Sequence, residues 1–130
     1  MKRIVVSGFL MVLPVLAHHA VAAVYDMSKL VNFKGTVTRI EWMFPHGHLY
    51  VDVAGADGKV ETWTFETGNP AQFINRGVGR NFLQQGDEVN ITAWVAKKQT
   101  HSANARTLTL SDGRNVDVGD RWNPIDMGKK

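Results

Sequence analysis

Alternating apolar runs, a single short helix signal after the third run, and turn-forming glycines between runs predict a mainly β fold. The order reads β-β-β-α-β-β. That is the order of the OB-fold, a small five-stranded Greek-key barrel with one short helix between strands three and four.

The first strand is long. From Lys29 to Trp42 the β-prone residues Val31, Phe33, Val37, Ile40 and Trp42 change phase near Gly35, which predicts a bulge or sharp coil at that glycine. Pro45 interrupts the pattern. Leu49, Val51 and Val53 then alternate with Tyr50 and Asp52, as a half-buried strand does, and Gly55 to Gly58 make a hairpin turn. Val60 to Phe65 return as the third strand, with Trp63 and Phe65 on one face. Asn69-Pro70 is a helix cap followed by proline at the first helical position, Phe73 and Ile74 form the apolar face, and Gly77 is the stop. Val89, Ile91, Ala93 and Val95 alternate in a fourth strand. Leu108 and Leu110 mark a fifth, and Asp112-Gly113 turns into a short strand over Val116 to Val118.

A chain of 130 residues holds one domain, and 44% hydrophobic residues with four Trp suffice for a packed core. The absence of cysteine excludes disulfides, thiolate zinc sites, iron–sulfur clusters and a cysteine nucleophile.

The N-terminus reads as an export signal over residues 1–17. Lys2 and Arg3 precede an uncharged stretch from Ile4 to Leu16, and Val15-Leu16-Ala17 suits a signal peptidase. As a helix that stretch covers about 20 Å, short of the roughly 30 Å of a bilayer core. A second cleavage point lies after Ala22 or Ala23. The domain then runs from 18 to 119, with a polar tail over 120–130. Cleavage removes Lys2 and Arg3 but no acid, so thirteen basic residues face 12 acidic ones and the formal charge falls from +3 to +1. The basic footprint expected of a nucleic-acid binder is largely gone, and no span remains in the membrane.

Five histidines are the informative feature. Cleavage after Ala17 makes His18 the N-terminus, with His19 next. His46 and His48, two apart at the start of a strand, leave one face. His101 lies in a loop between the last strands. An N-terminal histidine chelates one metal through its α-amine and ring Nδ1, and a third nitrogen from His46, His48 or His101 completes a T-shaped set suited to copper(II). Met27 and Met43 add soft thioethers for copper(I). Each histidine also has a plain structural reading: a frayed arm for His18-His19, a turn cap for His46, a solvated loop for His101. Trp42, Trp63 and Trp94 read first as core. No Ser/His/Asp grouping or phosphate loop appears, so an enzyme has no visible site. Glu66, at the rim after the Trp63–Phe65 strand, stands apart from the other scattered carboxylates.

His18-His19 with Tyr25-Asp26, Gly35-Thr36-Val37 leading to Glu41-Trp42, Pro45-His46, Trp63 with Glu66, Asn69-Pro70, Arg76-Gly77, and Leu83 with Gly86-Asp87 together resemble DUF6152, a family of small exported bacterial proteins of unknown function. The family pattern reads Asn-Pro-His where this chain has Phe44-Pro45-His46. The resemblance implies a periplasmic location and no established activity. The expectation is a periplasmic, non-enzymatic metal-binding protein, copper first, with His18, His19, His46, His48 and His101 as candidate ligands. Its partners would be a metal ion, another periplasmic protein or a small ligand. The second reading is an OB module without metal, binding a ligand or protein on the face of strands two and three.

Overall fold

The computed structural model describes residues 20–120. The predicted export signal, His18, His19 and the tail beyond 120 lie outside the described residues. Six strands form the sheet: β1 (Val31–Glu41), β2 (His48–Ala54), β3 (Val60–Glu66), β4 (Glu88–Val95), β5 (Ser102–Leu110) and β6 (Asn115–Asp117). Antiparallel pairing runs β3-β2-β1-β4-β5-β6, and a parallel pairing of β3 with β5 closes the first five strands into a barrel. This is the predicted small OB-like barrel, with β6 added outside it on β5.

Alternation turns Val37, Leu49, Val51, Phe65, Val89, Ile91 and Leu108 inward, each 1% exposed or less. Ala93, Ala103 and Ala105 are fully enclosed; their small side chains leave room for the rings of Phe33, Phe65 and Trp63, packed at 4.7–6.2 Å between centroids. The helix α1 (Pro70–Phe73) starts as the sequence indicates: Asn69 Oδ1 accepts from the Ala71 amide at 3.0 Å. A wider turn over Ile74–Val78 follows, in which Gly77 leaves the helical conformation at φ 92° and Gly79 caps the end. Phe73 packs edge-on to Trp42 at 5.4 Å and to Phe82 at 6.0 Å.

Two features differ from the sequence expectation. The bulge in β1 falls at Thr38, not Gly35. Val37 pairs with Val51 and Arg39 with Tyr50, so Thr38 is the extra residue, and its hydroxyl donates to the Tyr50 carbonyl at 3.1 Å. Gly35 serves a different purpose: it pairs with both Val53 and Val89, and a Cβ there would lie 2.3 Å from the Asp52 carbonyl oxygen. The second difference is β5, which begins at Ser102, well before Leu108. Its Ala103-Asn104-Ala105-Arg106 run alternates only with alanines inward, and the phase changes before Leu108 because Arg106 is an extra residue between the Ala105–Ala93 and Thr107–Thr92 pairs; Asn104 and Arg106 are buried too, at 2% and 6% exposure. The Arg106 guanidinium lies over the Trp94 ring at 4.4 Å and donates to Asn104 Oδ1 and to the Asp120 carbonyl, each at 3.2 Å.

Ahead of β1, residues 20–24 make a helical turn, and Tyr25 bridges to Ala96 at the end of β4. The Asp26 amide donates to Val95 O at 2.9 Å, the Lys97 amide to Val24 O at 2.9 Å, and Lys97 Nζ to Ala22 O at 2.7 Å. Residues 20–26 are therefore an arm docked on the barrel. No helix among the described residues is long and apolar enough to cross a membrane.

Gly35→Ala drives a methyl group into backbone that two neighbouring strands hold in place. It should cost about 2–3 kcal/mol, the usual range for overpacking, read as a lower urea midpoint at unchanged slope. A loss under about 0.5 kcal/mol would mean that β1 and β2 do not approach so closely.

Candidate functional site

Where the arm meets the barrel, three side chains from three separate segments form one hydrogen-bonded chain. Tyr25, on the arm, donates from its hydroxyl to Glu66 Oε2 at 2.6 Å. Glu66, the last residue of β3, places its other oxygen 2.8 Å from His46 Nδ1. The same nitrogen lies 3.1 Å from the Thr67 carbonyl. Because a carbonyl only accepts and the carboxylate accepts, Nδ1 is the protonated nitrogen of the neutral ring. That leaves the Nε2 lone pair as the ring's donor site for a metal.

The local backbone explains how His46 arrives there. The Phe44–Pro45 peptide is cis. Gly47 then lets the chain pass close beneath Trp42: a Cβ on it would meet Thr67 Oγ1 at 2.7 Å and Trp42 Cε3 at 2.8 Å. The Thr67 amide donates to Gly47 O at 2.8 Å, which holds the end of β3 against the turn that carries His46.

Tyr25 is 5% exposed. Its phenol is pushed well above the ordinary tyrosine value, first by burial, then by the hydrogen bond to Glu66 and that carboxylate's charge. Tyr25 is therefore a standing donor at any physiological pH. A cavity of about 240 Å³ opens beside this chain, lined by Ala20, Val21, Val24, Tyr25, His46, Glu66 and Asp120. Asp120 is carried there by the strap that follows β6, whose Val118 amide donates to Arg106 O at 3.0 Å and whose Val118 carbonyl accepts from the Gly68 amide at 2.8 Å.

The predicted ligands fall in different places. His18 and His19 are outside the described residues. His46 precedes β2 and reaches Glu66. His48 opens β2 and stands opposite Glu41 on one side and Glu66 on the other, at a Cβ spacing of about 5 Å for such pairs. Its Nδ1 is enclosed with no hydrogen-bond partner among the described residues. His101, in the β4–β5 loop at φ 52°, pairs through Nε2 with Glu61 Oε2 at 2.8 Å and meets the Trp63 ring edge-on at 5.3 Å. Glu61 lies five residues up β3 from Glu66, roughly 16 Å along the strand. The structure thus joins His46 to Glu66, seats His48 opposite Glu66 in the strand register, and turns the His101 ring to Glu61. Among the described residues no three His, Asp or Glu side chains are close enough together to hold a metal by themselves.

The tryptophans divide as well. Trp94 is 2% exposed beneath Arg106. Trp42 and Trp63 pack on the core and line two separate clefts, Trp42 beside Met43 and Phe44, Trp63 in a larger one of about 930 Å³ between β1, β2 and β3.

The family model described as a family of unknown function, DUF6152, matches residues 9–105. The chain belongs to DUF6152. The match takes in Tyr25, His46, His48, Glu66 and His101, and it stops just before Arg106. This DUF6152 protein matches no curated protein. One solved structure, a crystal structure of TiaS in complex with an isoleucine tRNA, AMPCPP and agmatine, holds a chain similar over 66% of this one at 14% identity and TM-score 0.45. The DUF6152 chain spans 19% of that chain's length.

A phenol that ionises less readily in the folded state stabilises the fold fully below its unfolded value of about 10. That contribution is lost as pH rises toward the folded value. Tyr25→Phe should therefore lower stability by about 1–3 kcal/mol at neutral pH, the range for a hydrogen bond to a charged group. It should also flatten the fall in denaturation midpoint from about pH 9 to about pH 11. An alkaline slope as steep as the parent's would show that another group governs it.

Proposed function

We propose that this protein is an exported, periplasmic, non-enzymatic metal-binding protein that takes copper at the junction of the arm and the barrel. The ligands are His18, through its α-amine and ring, and His46 through Nε2. His19 and His48 are the neighbours able to complete or adjust the set. The observation that carries this reading is the shared cavity: Ala20 and Val21 line the same space as His46, and His18-His19 directly precede Ala20 in the sequence.

The chemistry of the donors favours copper. A cysteine-free chain offers nitrogen, oxygen and thioether alone, and an amine with two imidazoles suits copper(II) better than other common divalent ions. A ligating imidazole typically donates its second N–H to a carboxylate or carbonyl, and His46 Nδ1 faces both. Cleavage after Ala17 fits the docked arm. The helical turn is tied down by Val24 O, Ala22 O and the Tyr25 amide's bond to Val21 O at 2.8 Å; cleavage after Ala23 would cut through it. His101 is committed to Glu61 and Trp63 and stays outside the set.

Intact-mass analysis of the exported chain should give a mature protein beginning at His18. Titration of that protein with Cu(II) should show one tight equivalent, weakening as pH falls because protons compete for the amine and imidazole ligands. His46→Ala should lose more than about tenfold in affinity, while His101→Ala stays within about twofold of the parent. A mature chain starting at Ala20 or later, or equal affinity in His46→Ala, would overturn the assignment.

A further inference from the structure

We infer that the cleft between the first half of β1 and the β2–β3 hairpin takes an extended basic segment of a partner protein, added as a strand to the free edge of β1. This site is separate from the arm–barrel junction and does not depend on the metal reading.

β1 serves two neighbours in succession. β4 pairs with Val31–Thr36, whereas β2 pairs only from Gly35 onward. Ahead of Gly35, the β2 side of β1 therefore has no strand beside it among the described residues. The direction of the backbone groups follows from Val37, whose amide donates to Asp87 O at 2.9 Å and whose carbonyl accepts from the Gly86 amide at 2.8 Å. Every second residue of a strand addresses the same side. Phe33 and Gly35 thus bond toward β4, and Asn32 and Lys34 aim their N–H and C=O groups the other way, at the cleft they line. Residues two apart are about 7 Å from each other, the repeat of another extended chain. A small ligand satisfies one of them; an added strand satisfies both.

The rest of the cleft fits the same occupant. It holds about 930 Å³. Phe33, Val53 and Trp63 line it with apolar surface, the rings of Phe33 and Trp63 lying 4.7 Å apart. Val60, 63% exposed, extends that surface at the mouth. Alternate side chains of an added strand would cover this floor, while main-chain hydrogen bonds to Asn32 and Lys34 supply affinity. Charge selects the partner. Asp52, Glu61 and Glu88 line the cleft against one base, Lys34, and His101 Nε2 holds Glu61 in place at 2.8 Å. A segment bearing Lys or Arg meets opposite charge there. A second copy of this chain would set one acidic rim against another, which disfavours self-pairing at the same edge.

The experiment uses the full mature chain and short fluorescein-labelled peptides of alternating lysine and valine. One form is unmodified, one is N-methylated at the lysines and one at the valines; an alternating glutamate–valine peptide tests charge. Fluorescence anisotropy reads affinity, and amide exchange reads position. The unmodified lysine–valine peptide should bind and slow exchange at Asn32 and Lys34, but not at Phe33, whose N–H already serves β4. Each methylated form blocks one edge of the peptide and keeps its charge. One of them should therefore bind about tenfold or more weakly, through loss of the hydrogen bonds to β1, and the other close to the unmodified peptide. The glutamate–valine peptide should not bind. Glu61→Lys and Glu88→Lys, both at exposed positions, should each weaken the lysine–valine peptide several-fold. Equal binding of the two methylated forms, or unchanged exchange at Asn32 and Lys34, overturns strand addition. Equal binding of the glutamate–valine peptide overturns the basic partner. Parent protein that binds none of the peptides, as a monomer or as a dimer, overturns the proposal and leaves the copper reading untouched.

Discussion

The parallel pairing of β3 with β5 is the constraint on which the rest depends. It closes the barrel through three residue pairs, Thr64 with Ser102, Phe65 with Ala103 and Glu66 with Asn104. Closure pairs the Thr64–Glu66 end of the edge that an open β-sheet would expose along β3. It also decides which residues turn inward: Phe65 and Ala103 enter the core, and Glu66 and Asn104 are therefore forced to the outer side at the barrel's end. Every polar contact of the junction is built on that placement. The end of β3 presents Glu66 and the Thr67 carbonyl to His46, while the end of β4 receives the arm through Val95 and Ala96.

Much of this architecture is legible in the residues. The inward set Leu49, Val51, Phe65, Val89 and Ile91 follows from period-two alternation, and the helix from Asn69-Pro70 and Gly77, because these signals are local. The features that are not legible are those set by contacts distant in sequence. Thr38 carries the bulge because Gly35 is needed elsewhere, against the Asp52 carbonyl. Ala103 to Arg106 give a weak strand signal because their inward residues are alanines and the extra residue Arg106 shifts the phase before Leu108. The signal that marks them is chemical: an arginine and an asparagine among alanines need partners, and Trp94, Asp120 and each other supply them.

The site shows the same division. Glu66 stands out in the sequence as a carboxylate at the end of an apolar strand, and His46 as a histidine after proline. Nothing local joins them, since 20 positions separate the two, and 41 separate Tyr25 from Glu66. The grouping of His46 with His48 rests on strand period, which survives only in part: β2 begins at His48, so His46 is aimed by the turn at Gly47. Tyr25 gives no signal as a single residue. Its role comes from a helical turn that lays the arm across the β4 end, in a stretch whose small residues read equally well as a cleavage point.

A site shared between a barrel and an arm carries an entropic cost that a site within one rigid element does not. Fixing the backbone of each arm residue costs about 1–2 kcal/mol, so an arm free in solution would consume much of a metal's binding free energy. Here residues 20–26 are held by backbone bonds to Val95 and Lys97, by Lys97 Nζ on Ala22 O, and by Tyr25 on Glu66. On the proposed reading, these bonds hold the arm and the His46 ring in the arrangement a metal would use. Preorganisation of this kind raises affinity by lowering the cost of assembly, with no additional ligand. It also explains why a buried tyrosine is better suited to the position than a charged partner. Lysine or arginine would neutralise Glu66 and, with it, the electrostatic pull that keeps the proton on His46 Nδ1. A neutral phenol, held protonated by its own burial, fastens the arm and leaves the carboxylate its charge.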